Sequence, residues 1–325
     1  MMHFSSSPLR VSLIGGGTDF RSFYEKHNGA VISFTIDKYV NVLVKDKFDR
    51  GIKLSYSVNE YPKSVNKIKH SLIKNIFKLY NIRNNIELIS IADIHSKGTG
   101  LGSSSAFTLA TISAINSFLN QKSIDKKKLA ELACYIEIIK NKSPIGEQDQ
   151  YSSCFGGFNF IDFKKKGLSV NKYKFNQDEL KHIQKNLFLY NTGISRSANS
   201  ILYLHKKKIK DKSDINYLKF LRDETYILNE KLSNKNFDYI PISINKSWEL
   251  KQKFNYKTKN KSIDKLIKNG INSGASAAKL LGAGGGGFIL FYVNSKKRKI
   301  FLQNMGKKNF LDFNFEDNGT KSRQL

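Results

Sequence analysis

Three glycine-rich turns punctuate the chain of 325 residues: IGGGTDF at 14–20, KGTGLGSSSAF at 97–107 and GAGGGGF at 282–288. Residues without bulk let a backbone come close to a ligand. The second turn runs straight into TLATISAINSFL, apolar at helical spacing, so it opens a helix whose first N–H groups lack partners. The N–H groups from Gly98 to Ser105 could form a concave nest at the positive end of that helix, a setting that suits a phosphate. Serine hydroxyls there can bond phosphate oxygens or ligate Mg2+, a hard ion that prefers oxygen. Two carboxylates could serve the same centre. Glu137 lies among Ala133, Ile136 and Ile138 in LAELACYIEIIK and is a metal-ligand candidate. Asp149, in the segment GEQDQY, suits a base that accepts a proton from a substrate hydroxyl.

The better-known nucleotide motifs are missing. No G-x-x-x-x-G-K-[ST] occurs, which argues against a Walker A loop. Neither H-R-D nor D-F-G occurs, which argues against a protein kinase. Gly98-Thr99-Gly100 is followed by Ser103 where a dinucleotide fingerprint needs its third glycine, and the next helix leads to another helix.

The elements that must position these turns follow from periodicity. RVSLIG and YVNVLVKD read as strands. KSVNKIKHSLIKNIFKLYN has helical spacing, and NIELISIAD is a strand feeding the Gly/Ser turn. Two helices follow, near 103–120 and 126–142, the second with Asp125 as N-cap. Pro144 and Gly146 end it and open a loop, PIGEQDQYSSCFGGFNF, which returns into the strand GGFNFIDF. Beyond Asn191 the chain turns Lys-rich and helical, with further helices at IPISINKSWELKQKF and IDKLIKNG. GASAAKLLGAGGGGFILFYV reads as a small-residue helix, a glycine turn and an apolar strand, and a helix–strand pair closes the sequence. This change of character places a boundary near residue 190, giving domains 1–190 and 191–325.

Composition describes a soluble globular protein: 40% hydrophobic, 12% aromatic, and no apolar run near the ~20 residues of a membrane span. MMHFSSSPLRVSLI has no basic n-region and no long apolar segment, so no signal peptide is expected. Cys134 and Cys154 are too few for a disulfide framework or a four-ligand zinc site. A cytoplasmic location is the expectation. The net charge of +28 invites a nucleic-acid reading, yet only eight of the 55 basic residues are Arg and the lysines are spread out. That mix reflects AT-rich coding, and no nucleic-acid-binding motif accompanies it. No nucleic acid and no membrane insertion are expected as partners. The excess charge favours phosphorylated, anionic substrates.

In this order the three turns resemble the signatures of the GHMP small-molecule kinases, the family of galactokinase, homoserine kinase, mevalonate kinase and phosphomevalonate kinase. PLRVSLIGGGTDF is similar to their N-terminal sugar-kinase motif, KGTGLGSSSAF to their phosphate loop and KLLGAGGGGF to their third motif. The resemblance spans nearly the whole chain. It implies an α+β, two-domain GHMP kinase-like architecture, with an N-terminal domain like ribosomal protein S5 domain 2 and a ferredoxin-like C-terminal domain. It implies ATP and Mg2+ as cofactors. Gly98, Thr99, Gly100, Leu101, Gly102, Ser103, Ser104 and Ser105 fall on the loop that wraps the ATP phosphates. Ser104 and Glu137 fall on the metal site, Asp149 on the catalytic base and Arg10 beside the transferred phosphoryl group. Gly16, Gly17, Thr18 and Asp19 fall on the sugar-holding motif, and Gly285 and Gly286 are assigned to the substrate side.

The departures narrow the substrate. Galactokinases carry Glu-His after the first glycine of the N-terminal motif, where this chain has Gly16-Gly17, so galactose is not expected. GGGTDF, with GEQDQYSSCFGGFNF and NTGISRSAN, is similar instead to the D-glycero-D-manno-heptose 7-phosphate kinase branch and its fucokinase relatives. That likeness implies a small-molecule sugar phosphate as substrate and phosphorylation of its anomeric hydroxyl to a 1,7-bisphosphate. The product would feed nucleotide-activated heptose and surface polysaccharide. L-fucose or another hexose is the second reading, and a non-catalytic sugar or ATP sensor the third. Arg196 is the candidate cation for the phosphate already on the sugar, with Lys97 behind it. Ser96 stands where the phosphate loop usually opens with proline. Monomer and homodimer both stay open.

Overall fold

The computed structural model describes residues 1–94, 98–194, 212–254, 260–282 and 285–325. The alternating apolar residues of the first half build a long antiparallel hairpin, β1 (Met2–Ile14) with β2 (Gly29–Asp46), bracketing the short helix α1 (Arg21–His27). Arg10 lies opposite Thr35, and the register shifts between Pro8 and Leu9 and again between Ser12 and Ile14. Such irregularities re-aim side chains locally. Strands β3 (Ile52–Ser55), β4 (Asn59–Glu60), β5 (Ile86–Ala92), β6 (Phe158–Lys164) and β7 (Gly167–Lys172) complete most of this sheet, with β3 parallel to β5.

Helix α2 (Ser71–Leu79) is shorter than the helical pattern from Lys63 to Asn81, whose first part is only a 3-10 turn at Val65–Lys67. Helix α3 (Ser103–Phe118) is buried on nearly every side, as its continuous apolar character requires. It packs along β1 and β2, with α4 (Lys126–Cys134) and α5 (Gln148–Phe155) beside it. Asp125 caps α4 by accepting from the Lys128 amide at 3.0 Å. The helix expected to run on to residue 142 instead widens into a π-helical turn at Tyr135–Lys140. Gln148–Phe155, expected as loop, is helix α5, and Asp149 sits in its first turn.

After α6 (Gln177–Asn186) the chain enters a second, antiparallel sheet of order β11-β8-β10-β9. Its strands are β8 (Leu187–Asn191), β9 (Ala275–Leu280), β10 (Phe288–Val293) and β11 (Phe310–Leu311). Among the described residues the remaining α-helices are α7 (Lys212–Ser233), α8 (Tyr239–Phe254), α9 (Lys261–Asn272) and α10 (Arg298–Met305). The small-residue segment expected as a helix is strand β9. Pairing with β10 overrides the helix propensity of its alanines, and the small side chains let α8 pack over it. The sheets do not divide once at residue 190: β8 already belongs to the second, and β12 (Lys321–Gln324) returns to pair with β1 in the first.

Leu221, Leu228, Leu232, Ile240 and Ile244, on α7 and α8, join the core beneath the first sheet and are at most 4% exposed. At about 1.5–3 kcal/mol for each buried side chain, this layer is a fixed wall and not a loose cover. No described helix is long and apolar enough to cross a membrane.

Candidate active site

The phosphate-loop glycines alternate with buried residues. Gly98, Gly100 and Gly102 all have φ between +71° and +75°, while Thr99 and Leu101 between them are buried. Gly102 precedes α3 and makes no side-chain cap, and a helix N-terminus of this kind suits an anion. Two strands brace this loop from below. The amide of Arg10 on β1 donates to the Leu101 carbonyl at 3.0 Å, and the amide of Phe288 on β10 donates to the Thr99 carbonyl at 3.1 Å.

The third glycine turn explains itself here. A Cβ on Gly282 would lie 2.6 Å from Gly100 Cα, and one on Gly287 would lie 2.4 Å from the Thr99 carbonyl oxygen. Gly287 also has a φ of +92°. Gly287→Ala is therefore expected to cost on the order of 1–3 kcal/mol and to displace the phosphate loop. A lowered melting temperature together with a raised KM for ATP checks it. Gly285 and Gly286 do not line the cavity described below; Gly286 packs against the Ile194 carbonyl.

Arg10, only 4% exposed, connects the loop to the candidate base. Its Nη1 donates to the Gly100 carbonyl at 2.6 Å, and its Nε and Nη2 reach Asp149 Oδ1 at 2.8 and 2.7 Å. Glu137 is buried in the π-helical turn, a widening that often marks functional positions. Its carboxylate accepts from Ser104 Oγ and Ser105 Oγ, each at 2.7 Å, and from Gln150 Nε2 at 2.6 Å. Burial pushes Glu137 up to about 6; these three donors oppose the shift, and the nearby Asp149 adds to it. Ser104 is exposed, whereas Ser103 and Ser105 are buried. Among the described residues no three of His, Cys, Asp and Glu converge, so a cation here would lean on one carboxylate, a hydroxyl and ligand oxygens.

Arg10 and Asp149 open into a cavity of about 970 Å³ of non-atom space, open to solvent. Gly16, Gly17 and Asp19 line it from the first sheet, and Trp248, Lys251 and Lys279 from the second half of the chain. Asp19 is buried; its oxygens accept from the Gly17 amide at 2.8 Å and the Gln148 amide at 3.0 Å, and burial raises its pKa. Thr18 departs from its expected place on the sugar. Its hydroxyl lies 2.8 and 2.9 Å from the carbonyls of Gly15 and Ala30 and accepts from the Ala30 amide, so it locks the turn. It does not line the cavity. Arg196 and Lys97 lie outside the described residues.

Sequence reasoning missed Ser12, Gln148, Trp248, Lys251 and Lys279. Gln148 carries α5 to the cavity, its Oε1 accepting from Ser12 Oγ at 2.8 Å. The readable signal was Lys279, a lone charge inside the apolar run ASAAKLL.

Residues 66–157 match the family model for the GHMP kinases N terminal domain, and residues 228–310 match that for GHMP kinases C terminal. The chain belongs to the GHMP kinase family. It is 29% identical to the D-glycero-alpha-D-manno-heptose 7-phosphate kinase of Campylobacter jejuni, covering 99% of this chain and 98% of that protein. It is 26% identical to a galactokinase of Pyrococcus furiosus, covering 90% and 89%. The fold matches a D-glycero-D-manno-heptose 1-phosphate kinase structure from Bacteroides thetaiotaomicron with a TM-score of 0.81, 20% identity and 99% coverage of both chains. The α+β two-domain GHMP architecture is thus established, and with it a GHMP sugar kinase, an ATP-using phosphotransferase with an alcohol acceptor.

Proposed function

We propose that this GHMP kinase transfers the γ-phosphoryl group of MgATP to the anomeric hydroxyl of D-glycero-D-manno-heptose 7-phosphate, giving the 1,7-bisphosphate and ADP. The observation that carries the reading is Arg10, which joins the phosphate-loop carbonyl of Gly100 to Asp149 at the wall of the cavity. Support for the sugar comes from the full-length likeness to the heptose 7-phosphate kinase and from Gly16-Gly17, where no side chain takes up room.

Asp149 accepts the proton of the anomeric hydroxyl as the sugar oxygen bonds to the γ-phosphorus and the bond to the β,γ-bridging oxygen breaks, with ADP leaving. Arg10 and the open N-terminus of α3 offset charge on the transferred group. The all-oxygen pair of Ser104 Oγ and the Glu137 carboxylate fits Mg2+, and a buried carboxylate pushed up to about 6 gains from a cation. When bound, the ion would neutralise charge on the β- and γ-phosphate oxygens. Most of the rate then comes from positioning and electrostatics. Using ATP, such an enzyme would work in the cytoplasm.

The test is ADP release with MgATP across heptose 7-phosphate, free heptose, L-fucose, galactose and mevalonate, with phosphorus NMR of the product. Turnover confined to heptose 7-phosphate, with a second phosphate on the anomeric carbon, is expected. Turnover with L-fucose instead would replace the substrate, and no turnover with any of them would turn the reading towards sensing.

A further inference from the structure

Two lysines outside all three glycine turns line the cavity. Lys251 on α8 donates to the Gly282 carbonyl at 2.9 Å, and Lys279 on β9 donates to the Leu13 carbonyl at 2.8 Å. Among the described residues no carboxylate lies within ion-pair distance of either. Desolvation draws Lys251 down to about 8 and Lys279 to about 7, the latter also through the fields of Lys251 and Arg10. Arg10 has its counter-charge in Asp149, but two desolvated ammonium groups on one wall with no carboxylate in ion-pair reach are costly unless an anion completes the site.

The position tells which anion. None of the residues from Gly98 to Ser105 lines this cavity, whereas the Gly15–Gly17 turn and Asp19 do. The nucleotide's phosphates already have the uncapped end of α3 and, beside it, Arg10. The lysines stand on the acceptor's side, with the Trp248 ring under Lys251.

We propose that Lys251 and Lys279 form a second phosphate subsite, which holds the monoester phosphate that the acceptor sugar already carries and thereby selects a phosphosugar. This deepens, and rests on, the sugar-phosphate reading above. A monoester dianion facing two ammonium groups would be discriminated from a free hydroxyl by charge alone.

Calorimetric titration of the ATP-free enzyme tests it. Lys279→Gln and Lys251→Gln are each expected to weaken heptose 7-phosphate binding at least tenfold, with free heptose affinity and the KM for ATP moving less than threefold. A raised KM for ATP with unchanged heptose 7-phosphate affinity would overturn the assignment in favour of the γ-phosphate. Equal losses for free and phosphorylated heptose would overturn it in favour of a packing role. A second readout needs no sugar: carbon NMR of the lysine ε-methylenes in the wild-type enzyme during titration with inorganic phosphate. Shifts at Lys251 and Lys279 in an enzyme that does not turn over heptose 7-phosphate would sink the proposed function and leave the subsite standing. Turnover of heptose 7-phosphate with no such shifts and no effect of either variant would do the reverse.

Discussion

Asp149→Asn is expected to lower kcat by roughly 10²–10⁴-fold, the range that positioned acid–base groups supply, while the affinity for ATP changes far less. Asn keeps the shape of Asp, and its Oδ1 can still accept from Arg10 Nε, now at 2.8 Å from the carboxylate. The link from Gly100 through Arg10 to α5 therefore survives. What disappears is the basic oxygen that, in the proposed mechanism, takes the acceptor's proton, and with it the negative charge opposing Arg10. Steady-state kinetics with ADP detection, paired with calorimetric titration of ATP, separates the two. A loss of ATP binding as large as the loss of kcat would show that the carboxylate serves the nucleotide and not the acceptor.

Glu137→Gln should have the second large effect, on metal dependence. All three side-chain partners of Glu137 are donors: Ser104, Ser105 and Gln150. An amide there turns an NH2 towards one of them, costing about 1–3 kcal/mol for the buried group left unpaired, and removes the anionic ligand proposed for Mg2+. The half-saturating Mg2+ concentration is expected to rise at least tenfold, on the scale of measured losses around metal ligands. The pH dependence has a definite sign. Without a cation the folded protein holds this proton up to about 6, so below that pH the proton competes with Mg2+ and more metal is needed. Above it the ionised, desolvated carboxylate burdens the metal-free fold, and this burden lifts as pH falls through 6 towards the ordinary carboxyl range. Glu137→Gln should flatten both trends. Metal titrations and thermal melts at pH 5.5 and 7.5 read them out; an unchanged Mg2+ requirement in the variant would remove Glu137 from the metal.

Much of the site was legible in the residues, because its chemistry is concentrated in short segments. The Gly98–Ser105 alternation, the helix behind it and the approach of Arg10, Glu137 and Asp149 all follow motifs that a linear reading detects. Lys251 escaped because it belongs to no motif, and Lys279 because it only opens the third one, ahead of its glycines; they meet only where α8 packs on β9. That packing also hid β9, since ASAAKL carries helix-favouring alanines whose strand state is set by hydrogen bonds to β10. Thr18 misled for the opposite reason. It lies inside a segment that resembles a sugar-holding motif, yet its hydroxyl is consumed by Gly15 and Ala30. The glycines of the third motif were recognised as glycines but not as a brace, because contact with Gly100 is a distance between backbones about 180 positions apart, visible only once the sheets are assembled.

The strand that carries Arg10 has β2 on one side and β12 on the other, so its outer neighbour is supplied by residues 321–324. During synthesis β1 emerges more than 300 residues before this partner. For that interval His3–Ser6 present an unpaired strand edge, the kind of surface that pairs with other nascent copies. Closing so distant a pair is also slow, since long-range strand contacts delay the folding barrier. The yield of active enzyme should therefore depend on how fast translation delivers β12, and on whatever shelters β1 in the meantime.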